Sequence, residues 1–99
     1  MNIQALMKQA QSLQKDMQKQ EEEIEKTTFE GESSLVKVKV NGRKEVLSVE
    51  ITNKENLEKD DLEILEDMIM VAFNNAFNKV DQLREKKMSK YSNMMPGMF

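Results

Sequence analysis

The residues available for chemistry form a short list. The 99-residue chain has no cysteine and no histidine, which removes disulfides, thiolate nucleophiles, Cys/His zinc sites and every mechanism built on an imidazole base. Carboxylates, lysines and a single tyrosine, Tyr91, remain, with no convergent acid–base pair at useful spacing. The sequence points away from an enzyme, and nothing in it asks for a metal, a cofactor or a small-molecule substrate. Glu21, Glu22 and Glu23 are the densest run of hard-cation ligands. Consecutive helical positions point in different directions and cannot make one cage, so the run reads as solvated surface.

The residues left to act are bases. Lys8, Lys15 and Lys19 against Asp16 give residues 1–20 a charge of +2, and Lys79, Arg84, Lys86, Lys87 and Lys90 against Asp81 and Glu85 give residues 79–99 a charge of +3. Residues 21–78 hold −8, so the overall −3 conceals two basic ends around an acidic middle. These eight bases suit contact with the phosphates of duplex DNA, which look alike at every base pair; sequence preference would then come mostly from DNA shape. The plain alternative is that acids first and bases last match a helix macrodipole. That fits the second basic segment and not the first, where Lys8 lies toward the positive end of its helix and Glu21 to Glu25 toward the negative end. Lys37, Lys39, Arg43 and Lys44 make a further basic patch, for which alternation on a polar strand face is the ordinary explanation.

The elements that must position these residues are legible in the apolar spacing. Ile3, Leu6, Ala10, Leu13, Met17 and Ile24 recur at heptad spacing, with Gln20 as the one polar seam position, and predict a helix over about residues 2–26. Thr27 to Glu32 reads as a strand. Val36, Val38 and Val40, then Leu47, Val49 and Ile51, alternate with polar residues around Asn41-Gly42, predicting an antiparallel hairpin whose turn has positive φ at both central residues. A second helix is expected from Asp60, with Asp60 and Glu63 as a capping pair. Its stripe of Leu62, Leu65, Ile69, Ala72, Phe73, Ala76, Val80 and Leu83 should cover the sheet's apolar face. Asn74 and Asn75 interrupt this stretch and read as structural hydrogen-bonding groups at an interface. Met17, Met68 and Met70 sit at core spacing and read as gap-fillers.

Two arguments extend this outline beyond one compact chain. A helix over residues 60–90 is roughly 46 Å long, whereas a compact chain of this length has a radius of gyration of about 13 Å. The helix must therefore project, and the amino-terminal half of the first helix is the expected cover for its carboxy-terminal half, within one chain or across a dimer, forming a two-helix arm. Ile64, Met68, Met70 and Val71 add apolar surface that one small sheet cannot bury, which predicts a homodimer. Residues 1–91 form the expected single domain, with 92–99, containing Pro96-Gly97, as a mobile tail. No apolar run of about 18 residues and no signal-peptide pattern is present, so the expected location is the cytoplasm.

Taken together, these segments resemble the YbaB/EbfC family. The resemblance runs through Met7-Lys8-Gln9-Ala10-Gln11, Glu30-Gly31-Glu32-Ser33, Leu35 to Gly42, Val46 to Ile51, Leu65 to Ile69, Ala72 to Ala76, Glu85 to Lys90 and Met95 to Phe99. It implies an α+β protomer, helix, three-stranded antiparallel sheet, helix, assembled as a tweezer-like homodimer with projecting helical arms. It also implies DNA binding with modest sequence preference, a place in the nucleoid and an influence on gene expression. Ser33-Ser34 stands where family members often carry glycines. A coiled-coil adaptor gripping a protein partner with the same arms is the competing expectation.

Overall fold

The computed structural model describes residues 2–94. Their order is α1 (Ile3–Lys26), β1 (Thr28–Ser33), β2 (Val36–Asn41), β3 (Val46–Ile51), a 3-10 turn (Lys54–Asn56) and α2 (Asp61–Met94). The strands form one antiparallel sheet in the order β1-β2-β3. This is the α+β arrangement the sequence predicts.

α1 begins where Asn2 accepts hydrogen bonds from the backbone N–H groups of Gln4 and Ala5, at 3.1 and 3.3 Å, satisfying two donors that the first turn would otherwise leave open. α2 starts one residue later than expected. The Asp60–Glu63 capping pair does not form; Asp61 supplies the engaged carboxylate, accepting from Glu58 N–H at 2.9 Å. At its other end α2 continues through Ser92 to Met94, beyond the boundary read at Tyr91, and residues 95–99 of the expected tail lie outside the described residues.

The core forms where α2 lies on the sheet. Phe29 of β1 and Val36, Val38 and Val40 of β2 bury against Ala72, Ala76 and Val80, with Leu65, Ile69, Phe73 and Phe77 around them. Gly31 lets the helix come close, since a Cβ there would stand 2.1 Å from the carbonyl oxygen of Ala72.

The helix does not cover the whole face. Val49 pairs with buried Val38, and so shares its side of the sheet, yet is 48% exposed, with Val46 and Leu47 at 53%. The cover that α2 provides is thus partial: α2 lies over β1 and β2 and leaves β3 open. The alternation expected in β3 is also shifted. Lys39 pairs with Ser48 but Val40 with Val46, leaving Leu47 as the extra residue of a bulge. Met70 is exposed rather than core, and Asn74 and Asn75 are exposed as well.

The β2–β3 hairpin forms with a longer turn than the one predicted. Lys44, at φ 61°, holds the positive angle, while the Asn41 side chain accepts from the N–H groups of Arg43 and Glu45 at 2.9 and 3.0 Å. Gly42 is required for space: a Cβ there would lie 2.0 Å from the carbonyl oxygen of Ile24.

The chain extends 72 Å along its longest axis, with a radius of gyration of 19.8 Å, well above the value of about 13 Å for a compact chain of this length. The excess is the arm. Within the chain its pairing differs from the intrachain form of the expected one: the carboxy-terminal half of α1 runs antiparallel to α2, with Asp16 at Tyr91, Gln20 at Lys87 and Glu21 at Arg84, while residues 3–12 of α1 are exposed throughout. The reason is register. Asp16 already meets Tyr91, so the residues of α1 before it lie past the observed end of the pairing.

Candidate nucleic-acid interface

The eight candidate bases fall into three groups. Lys8, Lys15 and Lys19 are exposed on α1. Their spacing of seven and then four residues puts all three on one helical face, opposite the seam of Leu13, Met17 and Ile24 that meets α2. Among the described residues they make no ion pair. The row follows from heptad arithmetic, and its orientation away from α2 could have been read from the sequence beside the apolar stripe.

A second group lies between the helices. Lys86, Lys87 and Lys90 line a shallow groove with Gln20 and Leu83. Lys87 stands 3.3 Å from Gln20 Oε1 and 3.7 Å from Glu23, and Lys90 stands 4.0 Å from Asp16 and over the Tyr91 ring at 4.9 Å. Lys86 makes no ion pair among the described residues. These contacts are long and partly solvated, so each contributes little to stability and an incoming anion can replace it at small cost.

The third group is committed elsewhere. Lys79 donates to the carbonyl oxygen of Glu30 at 2.7 Å, tying α2 to β1. Arg84 Nη2 donates to Glu21 Oε1 at 2.7 Å and to the Gly42 carbonyl at 2.9 Å, and its Nε donates to Glu21 Oε2 at 3.3 Å. The Glu21 bond raises the guanidinium pKa above its ordinary value, against the opposing effect of burial. Glu21 is therefore a partner of an α2 base rather than plain solvated surface, and Glu23, still exposed, stands near Lys87.

The hairpin patch is largely neutralised. Lys39 pairs with Glu30 at 3.8 Å, Arg43 with Glu45 at 3.7 Å, and Lys44 with Asp81 at 2.9 Å while lying over the Phe77 ring. Lys8, Lys15 and Lys19 thus face outward without an ion pair among the described residues, while Lys39, Arg43 and Lys44 of the hairpin are matched by acids. No helix among the described residues is long and apolar enough to cross a membrane.

An elongated helix–sheet–helix chain with a lysine-bearing two-helix arm is the class of protein that fold and site define. The chain belongs to the YbaB/EbfC DNA-binding family, whose model matches residues 1–95. It is 38% identical over 99 residues to a nucleoid-associated protein of Ligilactobacillus salivarius (strain UCC118), covering 99% of this chain and 95% of that one. A nucleoid-associated protein of Ruminiclostridium cellulolyticum is 38% identical over 102 residues, covering 99% and 89%. Among solved structures, the uncharacterized protein HP0035 of Helicobacter pylori shares the fold, with a TM-score of 0.68 at 23% identity over 95% of this chain and 97% of that one.

Proposed function

We propose that this chain is a nucleoid-associated protein that binds duplex DNA as a homodimer, chiefly through phosphates, changes the DNA's conformation and thereby influences nucleoid organisation and gene expression. One observation carries the phosphate reading: Lys8, Lys15 and Lys19 share the outward face of α1 and have no acidic partner among the described residues. Lys86, Lys87 and Lys90 in the adjoining groove extend the surface. Lys79 and Arg84, each tied by hydrogen bonds to other elements of the chain, are given no direct contact in this reading. The cytoplasm is the corresponding location.

A row of like charges on one helix meets phosphates without reading bases, so affinity should fall steeply with salt and vary little with sequence. The test is fluorescence anisotropy with a short labelled duplex over a salt series. Replacing Lys8, Lys15 and Lys19 together by Gln should weaken binding and flatten the log–log salt slope by about 0.9 for each lysine that meets a phosphate. Replacing Lys37 by Gln should change neither. Wild-type binding that ignores salt would sink this reading.

The uncovered seam residues Ile3 and Leu6, with exposed Met7 beside them, favour a second reading, an adaptor whose arm grips a helix of another protein. A single stoichiometric protein partner that survives nuclease treatment, together with no DNA binding in the salt series, would select it.

A further inference from the structure

We infer that Arg84 is a positioning residue for DNA binding, a pivot that fixes the angle at which the arm leaves the sheet body without itself touching DNA. The inference rests on the DNA-binding reading above for its consequence, but its geometry stands independently.

Three elements converge on one guanidinium. Arg84 belongs to α2, Glu21 to α1, and Gly42 to the β2–β3 turn, and Arg84 bonds both of the others. The same turn is held twice more. Gly42 packs so close to Ile24 of α1 that no side chain fits, and Lys44 pairs with Asp81, three residues before Arg84 on α2. The turn, both helices and the end of the core therefore share one joint. Arginine suits it because the planar fork reaches a carboxylate and a carbonyl at once, which a lysine ammonium on a flexible stem does not reproduce.

The joint has leverage. Lys8, Lys15, Lys19, Lys86, Lys87 and Lys90 all lie on the arm side of it. Lys8 is 13 residues along α1 from Glu21, or about 20 Å, so a tilt of about 10° displaces it by about 3.5 Å, comparable to the axial spacing of phosphates on one strand, about 3.4 Å. A loosened pivot would leave every lysine present and put the row out of register with its targets.

Binding to the same duplex over the same salt series separates a pivot from a contact. Arg84→Lys, Arg84→Gln and Glu21→Gln should each weaken binding, roughly fivefold, while keeping the wild-type salt slope. A phosphate contact gives the opposite pattern: Arg84→Lys binding like wild type, Arg84→Gln losing about 0.9 of slope per contact, and Glu21→Gln binding more tightly because an acid near DNA is gone. Tighter binding by Glu21→Gln, or wild-type binding by Arg84→Lys, overturns the pivot.

A DNA-independent measurement uses the absence of native cysteine. Spin labels at Ser12→Cys on α1 and Ser48→Cys on β3, in chains diluted with unlabelled protein, should give a narrow distance distribution that broadens in all three variants while circular dichroism retains the helices. An unchanged distribution overturns the inference whatever happens to binding. Should the wild type fail to bind DNA, the DNA reading falls, and the label distances still decide whether Arg84 is the joint.

Discussion

At the scale of single residues, the far end of the helix pair is closed by one phenol. Tyr91 is buried, its hydroxyl donates to the Asp16 carboxylate, and the Lys90 ammonium lies over its ring. The Asp16 bond raises the phenol's pKa above its ordinary value, burial adds to the rise, and Lys90 opposes it. A folded-state pKa above the unfolded one means that the bond's contribution is complete below about pH 10 and is lost as pH climbs through the folded value. The wild-type melting temperature should therefore fall more steeply above that pH than that of Tyr91→Phe. Because Tyr91 is the chain's only tyrosine, ultraviolet titration reports it alone. It should titrate later than free tyrosine, and Asp16→Asn should bring it back; a wild-type phenol titrating at the ordinary value would refute the assignment. The sequence marked Tyr91 only as a leftover titratable group, because its partner is 75 positions away and no local spacing connects them. The Glu21 partner of Arg84 was hidden for the same reason: basic composition is local information, whereas the acid that meets the side chain is brought by the fold.

At the scale of elements, Gly31 shows what spacing conveys and what it conceals. Its surroundings read correctly as a strand, but the strand needs a glycine because α2 presses on it: an added Cβ would also meet Ala76 N at 2.8 Å and Ala76 Cβ at 2.9 Å. Two of the three nearest atoms are helix backbone, so relief requires α2 to lift from β1. Gly31→Ala should cost about 3 kcal/mol by overpacking, which for a domain of this size lowers the melting temperature by roughly 10–20 °C. A fall of only a degree or two would mean that β1 and α2 are not packed this closely. Helices and strands were legible because 3.6- and 2-residue periods are written into neighbouring side chains. The Leu47 bulge, the Lys44 turn angle and the half of α1 that meets α2 depend on which element arrives opposite, and no period encodes that. Heptad spacing runs from Ile3 to Ile24 with only Gln20 polar, so it could not reveal that, among the described residues, the later part is the one that meets α2.

At the scale of the whole molecule, the apolar face of β3 is left uncovered by α2. Val46, Leu47 and Val49 are about half exposed beside a buried β2, and Ile64 and Val71, seven residues apart on one face of α2, are 54% exposed. Exposed apolar surface of this kind suits an interaction site, and the second copy proposed above is the occupant to test. Dimerisation would also supply a second arm, so two lysine rows could hold one duplex and gain effective concentration from the shared body. The decisive substitution is Val49→Asp. Within one protomer the side chain is half exposed and opposite a valine already covered by α2, so the fold should survive and circular dichroism should stay unchanged. Across an interface the same carboxylate would be buried without a partner, which costs several kcal/mol. Sedimentation at micromolar concentration should then show wild type at twice the 11.5 kDa chain mass and the variant at the single mass, with DNA affinity dropping because each molecule retains one arm. A wild-type monomer, or a variant that still sediments as a dimer, would show that the β3 face is not the contact, and the avidity argument would fall with it.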